Sequence, residues 1–315
     1  MCRSGTGVAG VVWDTAANVV AGLYAGCAAV MRDEGMRTPG LRRVAATRFV
    51  LPLREGGSVP GLFEAEDDGL YVVKFHGAAQ GPKTLTAELI AGEIGRALGL
   101  KVPELVLVDL AKELTIGEPD PEIQEHLQRS VGLNLGLDFL PGALPYDAAA
   151  GVPVDPVLAA DVVWFDAFIA NVDRTTRNPN MLRWHGDLWL IDNGAAIYPH
   201  HRWTDPAEQG RRAFQAMRDH VLLPVAGSLV EADARLARRL DETVLWGIVG
   251  SVPDEFLPVS EEAGSAERQR ERYMAYFLSR LQAPRPFIAE GERLRTAEGV
   301  GAIDPERATR GRRRE

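Results

Sequence analysis

Residues 171–194 read NVDRTTRNPNMLRWHGDLWLIDNG, which sets a carboxylate, Asp173, in a polar loop, two amides, Asn178 and Asn180, shortly after it, and a second carboxylate, Asp192, behind a short apolar run. These residue types suit phosphoryl transfer from a magnesium nucleotide. One carboxylate can orient or deprotonate an attacking hydroxyl, while an amide and the other carboxylate hold the metal. Asn178 has the Asp-x-x-x-x-Asn spacing from Asp173, whereas Asn180 leads straight into the next strand, so both stand as metal-ligand candidates. Taken singly, Asp173 also reads as a turn or cap aspartate, and Asp192-Asn193-Gly194 as a plain turn.

Such a site also needs a cation for the phosphates. Lys74, at the end of the run Leu70-Tyr71-Val72-Val73, is the only lysine between residues 41 and 82. Glu88 is placed to pair with it and hold the ammonium over the phosphates. Glu93 lies five residues further on, on a different helix face, so Glu88 is preferred. Gly57 and Ser58, in Gly56-Gly57-Ser58, are candidates for a loop whose main-chain amides cover phosphates. Without a fuller glycine fingerprint, the run reads more simply as a hairpin turn.

The elements that must position these groups follow from periodicity. Segments 44–53 and 61–75 contain β-type runs separated by turn residues, which predicts a small antiparallel sheet. Apolar residues at helical spacing over 84–98 predict a helix ending at Gly99, and 104–110 a further strand. Residues 119–156 are dense in Pro and Gly and read as loops around one short apolar run at 137–140, with a boundary just after it. A buried helix over 157–170 delivers the Asp173 loop, and 181–184 with 188–191 form a hairpin around His185-Gly186-Asp187. Helices follow over 207–217, 229–246 and 266–281. The polar end from Glu290 reads as frayed.

The chain of 315 residues, 46% hydrophobic and 25% charged, is long enough to bury a large core. Its net charge of −9 argues against a surface that coats nucleic acid. The two cysteines, Cys2 and Cys27, fall in the first thirty residues, which excludes a disulfide framework in the main body and suggests the cytoplasm. Residues 8–30 are rich in Ala, Gly and Val, but Asp14 and Asn18 interrupt the run and Arg3 alone precedes it. A mis-assigned start before Met31 or Met36 is the expectation here, and no membrane association is expected. The domain reading is an N-terminal extension over 1–40, a nucleotide-binding lobe over 41–140, a catalytic lobe over 141–285 and a polar tail over 286–315. His185, His200 and His201 lack a recognisable metal spacing and read as turn histidines.

The ordered set Tyr-Val-Val-Lys74-Phe, Glu88 in Thr-Ala-Glu-Leu-Ile, Asn-Val-Asp173-Arg-Thr-Thr-Arg-Asn178-Pro-Asn180 and Leu-Ile-Asp192-Asn-Gly resembles the HipA-like kinase family. More distantly it is similar to the phosphatidylinositol kinases and the protein-kinase fold. The resemblance spans roughly residues 49–200 by motif. It implies an α+β, bilobal fold, with an antiparallel-sheet N-lobe carrying one helix, a mainly helical C-lobe, and ATP between them. It also implies a serine/threonine kinase in which Lys74 binds phosphate, Glu88 partners it and Asp173 is catalytic. Asp192 with Asn178 or Asn180 would hold Mg2+, and Asp138, Phe139 and Leu140 would pass the adenine. The phosphoacceptor would be a protein, and no surface for an antitoxin-like partner can be mapped. The chain departs from typical protein kinases in Asn171-Val172, where they have His-Arg, and in Asn193, where they have phenylalanine. Rival readings are a nucleotide-binding pseudokinase, an enzyme transferring a nucleotidyl group or phosphorylating a lipid or small molecule, and a metal hydrolase using Asp173, Asp192 and His185.

Overall fold

The computed structural model describes residues 41–53, 59–77, 81–116, 118–260 and 263–297. The extension over 1–40, Gly57 and Ser58 of the expected phosphate loop, and the tail beyond 297 lie outside the described residues. The first part is a five-stranded closed barrel of β1 (Arg42–Pro52), β2 (Gly61–Ala65), β3 (Leu70–Lys74), β4 (Leu105–Leu110) and β5 (Gly132–Asp138), in the order β1-β2-β3-β5-β4. A simple antiparallel sheet was the expectation, and it needs correction. β1 runs 11 residues. Its second half pairs antiparallel with β2, while Arg42 to Ala45 pair parallel with β4 and close the ring. Alternation along β3 sends Tyr71, Val73 and Phe75 into the barrel against Phe63, Val106 and Val108. Val72 and Lys74 are thereby turned to the outside. At Gly136 a Cβ would lie 2.7 Å from Val108 Cγ2, so β5 needs a residue without a side chain to cross the barrel there.

Helix α1 (Pro82–Ala97) lies against β4 and β5, sharing one core with Leu105, Leu133, Leu135 and Leu137. The Pro- and Gly-rich stretch that reads as loops also holds α2 (Pro121–Arg129) as well as β5, so the described residues between 41 and 140 carry two α-helices rather than one. Asp120 caps α2 by accepting from Glu122 N, and Ile123 and Leu127, one turn apart, bury its single apolar stripe. β5 tolerates its glycines because β3 and β4 both supply ladder bonds.

Beyond β5 comes α3 (Pro156–Ile169), capped by Asp155 and buried from Ala159 onward except at Asp161. A small sheet follows from β6 (Leu144–Pro145), β7 (Met181–Trp184) and β8 (Asp187–Leu190). The remaining helices are α4 (Pro206–Gly210), α5 (Leu229–Leu236), α6 (Glu242–Gly250), α7 (Ala266–Leu281) and α8 (Pro286–Thr296). The helix expected over 207–217 stops at Gly210, with a 3-10 turn at Gln215–Asp219. The one expected over 229–246 is two, because Asp241 turns its side chain to Val244 N and starts α6 afresh. The fraying expected from Glu290 is absent as far as Thr296. Phe287 and Leu294 are buried, and Glu292 accepts from Leu229 N, so α8 holds the start of α5. No helix among the described residues is long and apolar enough to cross a membrane.

Arg280 ties this helical part together without an ion partner among the described residues. Its guanidinium is buried, donates to the carbonyls of Ala167, Gly210 and Arg212, and lies 4.7 Å from the Phe287 ring. Burial lowers its pKa, yet the end of α3 presents the negative pole that favours a cation. Replacing Arg280→Met strands these carbonyls. We expect a loss of about 3 kcal/mol, seen as a lower urea midpoint with an unchanged slope; a midpoint equal to wild type would show that the guanidinium does not brace α3.

Candidate active site

Lys74, last residue of β3, points out of the barrel toward α1. Its ammonium donates to Glu88 Oε2 at 2.5 Å and to Asp192 Oδ1 at 2.6 Å. Lys74 is 8% exposed and Glu88 wholly buried, whereas the Asp192 carboxylate is half exposed. Burial acts to lower the Lys74 pKa, but Asp192 and Glu88 together outweigh it and hold the ammonium protonated. Asp192 is pulled below the usual carboxylate range, first by Lys74. Glu88 is pushed up by its burial, against the pull of Lys74. Glu93 takes no part and pairs with Arg96 at 3.4 Å.

The Asp192 loop is pressed against α1. A Cβ on Gly194 would come within 2.5 Å of Thr84 Cγ2, so a side chain here would force the loop or Thr84 to shift from its place beside Glu88. There the Asn193 amide donates to Glu88, and that of Gly194 to Asp192. Asp192 itself has φ of 53°, a left-handed conformation that a carboxylate adopts at a cost.

Asp173 emerges just past α3, where Ala170 closes the helix in a left-handed turn. The Asp173 amide donates to Asn171 Oδ1 at 3.1 Å, and its Oδ2 accepts from Asn178 Nδ2 at 2.7 Å and Asn180 Nδ2 at 3.2 Å. Both candidate amides therefore meet the same carboxylate oxygen. Burial and the nearby charge of Asp192 raise the Asp173 pKa, while the two amides oppose the rise. The amides differ in access. Asn178 is half-buried; Asn180 is fully enclosed, has φ of 48°, donates also to the Asp192 carbonyl at 3.4 Å, and leaves its Oδ1 without a partner.

An apolar wall adjoins these polar groups. Phe139 and Leu140 pack in one cluster with Leu53, Leu62, Val72, Leu182 and Ile191. Val72 lies two residues before Lys74 on β3, Leu182 on β7 two after Asn180, and Ile191, just past β8, directly before Asp192, so the wall and the charged site share β3 and the ends of β7 and β8. The Asp138 carboxyl is not in this set. It alternates to the other face of β5, where burial and then Glu104 raise its pKa to about 6, with Arg42 and Asp67 also near. Gly57 and Ser58 lie outside the described residues. His200 is buried with Nδ1 3.1 Å from the Tyr273 hydroxyl, His185 occupies the β7–β8 turn, and no group of three or more His, Cys, Asp or Glu among the described residues is placed to hold a metal.

Sequence reasoning missed the buried polar set beneath the site: Asp166, Asn171, Arg174, Asn193 and His220. Asp166 carried a signal, since a carboxylate amid Val-Val-Trp-Phe and Ala-Phe-Ile must find a partner or lose its charge. Arg174 and His220 both bond its Oδ2, at 2.6 Å and 2.8 Å. These interactions, Arg174 foremost, hold the buried carboxyl below its ordinary pKa against the effect of burial.

Among solved structures, the chain is similar to the Helicobacter pylori proinflammatory kinase CtkA, at 15% identity and a TM-score of 0.43, over 71% of this chain and 92% of that one. It is also similar to the Golgi casein kinase with Mn/ADP bound, at 12% identity and a TM-score of 0.37, over 79% and 74% of the two chains. No curated protein sequence matches it. The profile of the HipA-like kinases matches residues 47–285, which is most of the chain. The protein belongs to the HipA-like kinase family.

Proposed function

We propose that this protein is an ATP- and magnesium-dependent serine/threonine kinase of bilobal protein-kinase-like fold, acting in the cytoplasm on a protein acceptor. One observation carries the reading. A single ammonium, Lys74, is shared by a carboxylate of α1 and a carboxylate after β8, beside an aspartate held by two amides. The adjoining apolar wall of Val72, Phe139, Leu140, Leu182 and Ile191 suits a purine.

In this reading Glu88, buried and bonded to Lys74, aims its ammonium at the α- and β-phosphates. Asp173, its pKa raised, accepts the proton of the acceptor hydroxyl as the hydroxyl oxygen bonds to the γ-phosphorus and the bond to the β,γ-bridging oxygen breaks. ADP leaves with that oxygen. Carboxylate and amide oxygens are the hard donors Mg2+ takes, and a magnesium ion that arrives with phosphates needs only one or two protein ligands. Asp192 and Asn178 are those ligands, and the ion, when bound, neutralises charge on the transferring phosphates. Asn178 is chosen over Asn180 on access: the Asn180 Oδ1 is enclosed by protein, and a ligand reaching an entering ion must face the cleft.

Three outcomes are expected. With γ-labelled ATP and intact-mass detection, Asp173→Ala should lose transfer by at least about 100-fold while still binding nucleotide, and Asp192→Ala should weaken magnesium–ATP binding. Wild-type transfer by both variants would remove the site from this function. Asn178→Ala should raise the Mg2+ concentration needed for half-maximal activity without shifting the melting temperature. Asn180→Ala, which forces alanine into a left-handed position, should instead cost about 1–2 kcal/mol of stability. The reverse pattern would exchange their roles. Because Asp173 works as the anion and its pKa lies above the ordinary 3.8, kcat/KM should fall as pH drops through that raised value. Asp173→Asn should flatten this acid limb; a limb that persists in the variant belongs to another group.

A further inference from the structure

We propose that Arg174 is a positioning residue that fixes Asp192 relative to Asp173; the inference rests on the phosphotransfer reading of those two carboxylates. The Arg174 side chain is fully buried, and its three nitrogens reach three different segments. Nε donates to Asp166 Oδ2 of α3 at 2.6 Å. Nη1 donates to the carbonyl of Asn180, at the end of the amide loop, and more weakly to that of Ile191 at 3.4 Å. Nη2 donates to Asn193 Oδ1 at 2.6 Å. Asp173 is thus the residue next to the guanidinium's own backbone, and Asp192 stands between two residues that the guanidinium bonds.

The arrangement exceeds what packing requires. A buried ion pair of this kind is no more stabilising than apolar residues of the same volume, so its presence asks for a geometric reason. Asn180 and Asp192, both left-handed at φ of 48° and 53°, supply one. Such conformations persist only where surrounding bonds over-determine them, and Arg174 bonds the first residue directly and both neighbours of the second. A planar fork with several donors can serve these points together; a lysine ammonium cannot. The fork is itself aimed. Asp166 also accepts from Asn171 Nδ2 at 3.0 Å and from His220 Nε2, whose other nitrogen accepts from Leu222 N at 3.0 Å. The Arg174 carbonyl is in turn held by Val221 N at 3.1 Å.

The test uses the full chain with Arg174→Lys, Asn193→Ala and the double variant, each with circular dichroism and melting to give the folded fraction. Arg174→Lys keeps a charge for Asp166 and loses the links to the two loops. Its kcat per folded molecule should fall by about 100-fold, the scale of a small misplacement of reacting groups. Its Kd for nucleotide measured without Mg2+ should stay within about threefold of wild type, because Lys74, Glu88 and the apolar wall are untouched. Asn193→Ala spares the Arg174–Asp166 pair, so it remains informative even where Arg174→Lys folds poorly, and its kcat should fall as well. The two losses should not multiply, since both variants cut the same bond. A folded Arg174→Lys with wild-type kcat, or losses that multiply in the double variant, would overturn the proposal. A wild-type protein that neither binds nor turns over magnesium–ATP strikes the kinase reading instead. The positioning role is then judged by amide exchange, where loss of protection in Arg174→Lys at both 171–180 and 190–194 supports it and unchanged protection rejects it.

Discussion

The ammonium of Lys74 lies between two carboxylates that the chain brings from far apart, Glu88 fourteen residues on and Asp192 a further stretch away at a separation of 118. A buried charge needs its partners, and this one is served by β3, α1 and the loop after β8 at once. Those three elements therefore cannot move independently. The arrangement holds two negative charges against one positive charge, with Glu88 Oε1 buried and unpaired, so it leans negative even before Asp173 is counted. That imbalance is a poor way to stabilise a fold and a reasonable way to receive a divalent cation.

How much of this was legible in the sequence depended on the range of the interaction. Lys74, Glu88 and the two aspartates stand on elements with strong local patterns: alternation in β3, a helical period in α1, and the β7–β8 hairpin with its His185-Gly186 turn. Local pattern tells which face a residue takes but not which strand lies beside it. The parallel pairing of β1 with β4 was therefore invisible, and with it the closure of the barrel. β5 was hidden for a related reason, since its glycines read as loop and only the flanking strands make it a strand. Alternation also carries the Asp138 side chain toward Glu104 and away from Phe139 and Leu140, which a segment read as one run does not reveal.

The helical part was misjudged where capping outweighed periodicity. Between Leu229 and Trp246 the apolar residues continue at helical spacing, yet Asp241 offers its side chain to a new helix start and the run divides. At the other end, the charges from Glu290 onward suggested solvent, but Glu292 is spent on the amides of Leu229 and Val230, and Phe287 anchors the helix beneath them. Charged residues in these places are spent on backbone groups, which composition does not reveal.

Helix α1 explains why the site stands ready-made. It carries Glu88, touches the Gly194 backbone through Thr84, shares its apolar side with the barrel, and donates from Thr86 Oγ1 to the Phe256 carbonyl at 2.8 Å in the helical part. Arg239 also reaches back to the Leu98 carbonyl at its far end. A helix fastened on so many sides holds Glu88 in place. Fixed dipoles and charges stabilise developing charge best when they are already oriented, and in the proposed transfer the groups around Lys74 would act in that way. What remains is the Asp192 carboxylate, half exposed and left-handed, whose position depends on Lys74 and on the bonds its neighbours make to Glu88 and to Arg174.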